Sequence, residues 1–352
     1  MTATRDALAG KLPVTLITGF LGSGKTTLIS RLLKHPDMNR VAVVINEIGE
    51  IGIDHDLVTM SSENVSLLAN GCLCCTVRTD LQETLRELFG QRRAGQIADF
   101  DRVIVETTGL ADPAPVVQTL VSDTMLAAQY RLDGVVTLVD AVNGAGLLAR
   151  QPEAKKQIAL ADRILITKGD LSNADAIATL REAIHAVNPQ ADSRMVLMGE
   201  IEPSELTGLG LASARAGAGT LRFLGEALDG SSGSGERYLR ERTGSRHDPA
   251  ISTLSLRFDT RFTWETFSAA MELLTTLRGP DMLRVKGIVN VDGKPVVVQG
   301  VQHIFHPPVE LDRWPSVDTS TRLVFITRNI KAETIRSLFA AVSAVSAVTA
   351  GA

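Results

Sequence analysis

Six short apolar runs punctuate the first two hundred residues, at 12–18, 41–45, 65–68, 103–105, 135–139 and 164–166. They are continuous rather than alternating and rich in Val and Ile, as strands covered on both faces are. Helical spacing lies between several of them, at 25–34, 77–89 and 174–187. This alternation predicts a doubly wound, mostly parallel α/β sheet. From 207 to 249 the pattern lapses into Gly, Ala and Ser, with Asp229-Gly230-Ser231-Ser232-Gly233-Ser234-Gly235 at its centre. That is the composition of a flexible linker. Beyond it, 251–258 alternates as a strand, and 263–277 has helical spacing with Phe267, Met271 and Leu274 on one face. Residues 283–291, 295–304 and 322–326 read as strands and 331–342 as a last helix, with Asp292-Gly293 suited to a hairpin turn. The expected organisation is an α/β domain at 10–206, the linker at 207–249, and a smaller α+β domain at 250–343.

Composition changes this picture little. The 352 residues suit two domains, and 44% hydrophobic content is enough for packed cores. A net charge of −4 with no Lys/Arg block argues against nucleic-acid binding. No apolar run has membrane-spanning length, and residues 1–12 lack the apolar centre of a signal peptide. Only three cysteines occur, all within 72–75, with no scattered pairs to cross-link. That fits a reducing compartment, so a soluble cytoplasmic protein is expected.

Chemistry first appears in the stretch from Gly19 to Thr26, Gly-Phe-Leu-Gly-Ser-Gly-Lys-Thr, between an expected strand and an expected helix. This is a phosphate-binding loop. Gly19, Gly22 and Gly24 let the backbone curl so that its N–H groups point inward, and the following helix aims its N-terminus at the same anion. Lys25 reaches the β- and γ-phosphates and the Thr26 hydroxyl suits Mg²⁺, with Ser23 and Thr27 completing the loop. Two later strand ends extend the site. Glu106 closes an apolar run and can hold Mg²⁺ through water, and Gly109 three residues on can present its N–H to a γ-phosphate. Thr167-Lys168-Gly169-Asp170 follows another strand: the Asp170 carboxylate can accept from N1–H and N2–H₂ of guanine, a pair adenine lacks, and the Lys168 stem can cover the base. GTP is therefore expected over ATP. Lys25, Thr26 and Glu106 are the catalytic candidates, and no residue stands out for orienting the attacking water.

The three thiols form Cys72-Leu73-Cys74-Cys75, with Cys72 expected in a loop leading to the helix at 77–89. Crowded soft donors suit a transition metal, with a redox pair or inert packing as alternatives. In extended geometry Cys72 and Cys74 share a side, while Cys74 and Cys75 point apart. A closed zinc site takes four ligands, usually from two Cys pairs, and no second pair exists here. The site is thus incomplete, as suits a metal that must leave. Glu47 is the first choice among nearby oxygen ligands. His303 and His306 are spaced as a ligand pair but lack Cys or carboxylate neighbours, which favours a surface or packing role.

With these residues assembled, the chain resembles the CobW family of P-loop GTPases, which handle metals for client proteins. The resemblance rests on GFLGSGKTTL at 19–28, NEIGEIGID at 46–54, NGCLCCTVRTDL at 70–81, ETTGLADPAPV at 106–116 and TKGD at 167–170, and extends to LRVKGIV at 283–289 and QGVQHIFHPP at 299–308. It implies Zn²⁺ or Co²⁺ at Cys72, Cys74 and Cys75, slow GTP hydrolysis, and metal transfer coupled to nucleotide state. It also implies switch roles for Asn46-Glu47 and for Glu106 with Gly109. Thr167 stands where many GTPases have Asn, a departure that bears on one stabilising hydrogen bond. Members tied to cobalt delivery often carry a histidine-rich stretch, and this linker holds only His247, which favours zinc. The expected function is a GTP-dependent metallochaperone that delivers its ion to a client metalloprotein. A metal-dependent homodimer is compatible with it. Cobalt delivery, a GTP-regulated zinc buffer and an ATP-dependent kinase or transferase are the alternatives.

Overall fold

The computed structural model describes residues 10–38, 40–46, 58–60, 65–68, 73–76, 81–210 and 251–350, which fall into two compact units. The first is built on nine strands: β1 (Leu12–Gly19), β2 (Val41–Asn46), β3 (Val58–Met60), β4 (Val65–Leu68), β5 (Leu73–Thr76), β6 (Arg102–Thr107), β7 (Tyr130–Asp140), β8 (Arg163–Thr167) and β9 (Asp192–Val196). Their order is β3-β4-β5-β2-β6-β1-β7-β8-β9. From β5 to β9 every neighbouring pair is parallel; β3 and β4 add an antiparallel edge. Among the described residues, seven α-helices accompany the sheet: α1 (Lys25–Leu32), α2 (Leu81–Arg93), α3 (Ala114–Ser122), α4 (Thr124–Gln129), α5 (Gly144–Arg150), α6 (Pro152–Leu160) and α7 (Ala174–Val187), of which the residues from Glu182 on group with the second unit.

All eight residues of β1 are buried, which is why the run reads as unbroken hydrophobicity. Leu28, Ile29 and Leu32 of α1 join Ile17, Val43, Ile104, Leu138 and Leu165 in one core. That burial holds an eight-residue helix that is too short to persist alone. α6 opens on Pro152, whose missing N–H costs nothing in a first turn.

Three local expectations change. Cys74 and Cys75 lie on a strand where none was expected, because the segment finds partners on both sides: Cys74 pairs with Val43 and Ser66, and Cys75 with Val44 and Val65. Backbone pairing outweighs the turn signal of Asn70-Gly71 just upstream. The helix expected to end at Phe89 runs on to Arg93. The start of the expected linker packs as part of the first unit: Gly208 donates its N–H to Asp133 Oδ2 at 2.9 Å, and Leu209 is 5% exposed. The rest of the expected linker, residues 211–249, lies outside the described residues.

The second unit comprises β10 (Ile251–Phe258), α8 (Trp264–Arg278), β11 (Arg284–Val291), β12 (Lys294–Val301), β13 (Ile304–Phe305), β14 (Val309–Glu310), β15 (Thr321–Arg328) and α9 (Ala332–Ala350). Its antiparallel sheet has the order β10-β15-β11-β12-β13, with β14 beside β12. Asp292 (φ 52°) and Gly293 (φ 93°) are both left-handed, as a two-residue hairpin between β11 and β12 requires. The Phe339 ring of α9 lies 5.8–6.3 Å from those of Phe258, Phe262, Phe267 and Phe325 and anchors the core. The strand expected over 295–304 breaks at Gln302 (φ 54°) into β12 and β13, which puts His303 on a turn. No group of three or more potential ligand side chains gathers around it or elsewhere among the described residues. No helix among them is long and apolar enough to cross a membrane.

Candidate functional site

The carboxyl ends of β1, β6, β7 and β8 lie side by side, and the strongest sequence signals collect there. β1 ends at Gly19, where a Cβ would stand 2.5 Å from Leu138 O and 2.7 Å from Ser23 Oγ, so only glycine fits. Gly22 (φ 74°) and Gly24 (φ 93°) take the left-handed turns that bring the chain into α1. Ser23 N–H donates to Phe20 O at 3.1 Å inside the loop, and Leu28 N–H to Gly24 O at 3.0 Å starts the helix. Lys25 is 6% exposed and folds into the loop, with Nζ donating to Gly19 O at 3.0 Å and Phe20 O at 3.4 Å. Thr26 and Thr27 are exposed on the first turn of α1.

Glu106 on β6 is buried between Ile17 of β1 and Ile45 of β2. Next to it, Thr107 Oγ1 donates to Thr18 Oγ1 at 2.8 Å, tying β6 to the strand that feeds the loop. A Cβ on Gly109 would meet Leu21 N at 2.7 Å and Leu21 Cα at 2.8 Å, so the segment after β6 packs directly on the glycine loop. The side chain of Gln157 on α6 donates to Gly109 O at 3.2 Å and to Ala111 O at 3.1 Å.

On the other flank, the Thr167 hydroxyl donates to Ser23 O at 2.8 Å. The side chain that stands where many GTPases have Asn thus ties the end of β8 to the glycine loop. Lys168 (φ 55°) turns the chain, and its Nζ pairs with Asp140 Oδ2 at 2.7 Å. Asp140 ends β7 and is 5% exposed, and it also accepts from Val142 N, Asn143 N and Asn143 Nδ2. Burial alone would raise its carboxyl; the Lys168 ammonium and the amide donors outweigh that and hold it below the ordinary value. Asp170 is exposed on the turn Gly169–Leu171. Gly199 (φ 77°), in the loop after β9, closes on the start of α1, where a Cβ would lie 3.0 Å from Thr27 O.

The expected nucleotide residues thus converge on one end of the sheet: Gly19, Gly22, Ser23, Gly24, Lys25, Thr26 and Thr27 in the centre, Gly109 on one side, and Thr167, Lys168 and Asp170 on the other. Asp140, Gln157 and Gly199 escaped the sequence reading. Asp140 did leave a signal, since it ends an apolar strand with a carboxylate just as Glu106 does. Gln157 left none, because its partners lie 48 and 46 residues away.

The site fits a magnesium-bound nucleoside triphosphate. Ser23 Oγ is buried with no hydrogen-bond partner among the described residues, inside a loop whose Gly19 admits no side chain. The Thr26 hydroxyl and Glu106 carboxylate supply hard oxygen donors. For the thiol element the structure describes only backbone. Cys72 and Glu47 lie outside the described residues, as do the side chains of Cys74 and Cys75. The strand register is informative nonetheless. Cys75 pairs with Val44, Val44 with Val105, and Val105 with Leu16. Three interstrand steps put the Cys75 backbone about 14 Å from β1.

Comparison with known proteins gives the same outline. Residues 13–194 match the family described as CobW/HypB/UreG, nucleotide-binding domain, and 251–343 match the cobalamin synthesis protein cobW C-terminal domain. The chain is 33% identical to the zinc chaperone YjiA of Escherichia coli over 332 residues, covering 94% of this chain and 98% of that one. It is 31% identical to the zinc chaperone CobW of Pseudomonas aeruginosa over 361 residues, covering 91% and 88%. The crystal structure of Zn(II)-bound YjiA GTPase from E. coli superposes with a TM-score of 0.71 at 31% identity, over 94% of this chain and 99% of that one. A glycine loop, strand-end carboxylates and a cysteine strand in one sheet, joined to the matching C-terminal domain, make this chain a member of the CobW/HypB/UreG family.

Proposed function

We propose that this protein is a GTP-hydrolysing metallochaperone whose nucleotide state gates its affinity for a transition metal, zinc first. The observation that carries the reading is the strand register. Cys75, Val44, Val105 and Leu16 form one row across β5, β2, β6 and β1. The cysteine strand and the phosphate-loop strand are thereby ends of one short lever. Between them, β2 leads into the segment that begins at Glu47, and β6 carries Glu106. The names of the relatives YjiA and CobW, both zinc chaperones, support zinc over cobalt.

Each residue has a distinct task. The backbone N–H groups of 24–26 at the N-terminus of α1 hold the phosphates, and Lys25 exchanges its loop carbonyls for phosphate oxygens. Thr26 and, through water, Glu106 would hold Mg²⁺, which would supply charge neutralisation at the phosphates. Asp170 accepts from the guanine edge while the Lys168 stem, fixed by Asp140, covers the base. Gly109 lies where its loop can follow the γ-phosphate. Contacts to that phosphate order the loop and the segment after β2, bringing Glu47 to the thiolates of Cys72, Cys74 and Cys75. Hydrolysis relaxes both and releases the ion to a client metalloprotein. Thiolates that must stay reduced suit a cytoplasmic setting.

A transfer assay tests this reading. Zinc-loaded protein is mixed with an apo zinc enzyme in the presence of GTP or a non-hydrolysable analogue. Transfer is expected to require GTP. Equal transfer with both would leave a zinc buffer in place of a chaperone.

A further inference from the structure

Two of the carbonyls that fix the loop after β6 point at a single side chain. Gln157 sits on α6 and is 1% exposed, and its Nε2 lies 3.2 Å from Gly109 O and 3.1 Å from Ala111 O. Carbonyls only accept, so the amide must present its NH₂ to both, and its orientation is settled by chemistry. Gln157 is itself anchored, because its main-chain oxygen accepts from Thr137 Oγ1 of β7 at 2.9 Å. The neighbouring Lys156 reaches Asp112 Oδ2 at 3.2 Å, and Asp112 Oδ1 accepts from Ala114 N at 3.0 Å, where α3 begins. Residues 109–112 are thus held to α6 at three points. On the loop's other side Gly109 abuts Leu21 of the glycine loop. Gln157 also lines, with Phe20, Leu21 and Ser23, a cavity of about 20 Å³, room for a single water. α6, the Gly109 loop and the phosphate loop therefore form one packed unit.

We infer that Gln157 is a positioning residue for the triphosphate: by holding the carbonyls of Gly109 and Ala111 it keeps the Gly109 loop against the phosphate loop, ready for the γ-phosphate. The inference rests on the GTP reading above. It assigns α6, which packs behind the glycine loop, the discrimination of triphosphate from diphosphate. A diphosphate leaves the Gly109 loop unengaged, so its affinity does not depend on Gln157. A triphosphate engages the loop, and without Gln157 the cost of ordering that loop falls on binding and on hydrolysis.

The test uses the full-length protein and three forms: wild type, Gln157→Leu and Gln157→Glu. Each is titrated with GDP and with a non-hydrolysable GTP analogue, and GTP turnover is followed. In Gln157→Leu, analogue affinity relative to GDP is expected to fall about tenfold, the weight of one to two neutral hydrogen bonds, with kcat falling alongside. Gln157→Glu keeps the shape but turns an acceptor toward two carbonyls, so its defect is expected to be at least as large at pH 8. It recovers partly toward pH 6, because a neutral carboxylic acid can donate to one carbonyl. A shape-filling role predicts no such pH dependence. An analogue-to-GDP ratio within twofold of wild type in Gln157→Leu overturns the inference, as does an equal loss for both nucleotides. If wild type itself prefers ATP or fails to turn over GTP, it is the GTP reading that falls.

Discussion

Asp140→Asn isolates one charge at the base-reading flank. The two side chains have the same shape, so packing is retained. In the wild type, Oδ1 accepts from Val142 N at 2.7 Å and Asn143 N at 3.3 Å, bonds an asparagine oxygen can keep. Oδ2 accepts from Lys168 Nζ at 2.7 Å and Asn143 Nδ2 at 3.1 Å. In the variant an NH₂ faces both of these donors, and Lys168 must swing away. A hydrogen bond to a charged group is worth about 1.5–3 kcal/mol, and Lys168 is 37% exposed, so water recovers part of it. The net cost is about 1–2 kcal/mol, or roughly five- to thirtyfold in guanine-nucleotide affinity if the pair sets the lysine over the base. Titration with fluorescent GDP and a GTP analogue measures this, with a melting curve to check folding. Affinity within twofold of wild type in a folded variant would refute the positioning argument. The pair also carries a signed pH effect. The Asp140 carboxyl is held below its ordinary value of 3.8, so its stabilisation is complete above that pH. It is lost as pH falls through the lower folded value. Wild type should therefore lose melting temperature more steeply than Asp140→Asn below about pH 4.

Other consequences are simpler to state. Thr167→Val removes the hydroxyl bond to Ser23 O, and loosening the loop by about 1 kcal/mol should weaken GDP and GTP alike about fivefold. Asp170→Asn should weaken GTP and favour xanthosine triphosphate, whose 2-oxo group accepts where guanine donates; competition binding reads the exchange. Phe339→Ala empties a site surrounded by four rings and should cost about 3–5 kcal/mol by denaturant titration.

The parts of this molecule that were legible in sequence are those whose cause is local. Central strands such as β1 and β8 are buried along their whole length, so their hydrophobicity is continuous and their limits are plain. The phosphate loop is legible because its glycines serve backbone geometry within six residues of Lys25. β5 was missed because Leu73–Thr76 is short and follows Asn-Gly, and its strand character comes only from β2 and β4 on either side. α3 to α6 were not singled out because they are short, six to nine residues each, too few turns for a helical period to stand out. Asp140 and Gln157 act across 28 and 48 residues, and no single-chain pattern announces a partner that far away. Thr167 shows the converse. A departure from the commoner Asn looked like a lost bond, and the fold brings the Ser23 carbonyl to the shorter hydroxyl.

The central claim is that nucleotide state and metal affinity are coupled through the sheet that joins the cysteine strand to the phosphate loop. The most direct measurement is a Zn²⁺ titration of the apo protein, against a competing chelator, with either a non-hydrolysable GTP analogue or GDP bound. A hundredfold change requires only about 2.7 kcal/mol of differential binding, which the loss of one ligand can supply. Zinc is expected to be held about a hundredfold more tightly in the triphosphate state, with the difference collapsing in Cys74→Ser. Equal zinc affinity in the two nucleotide states would contradict it.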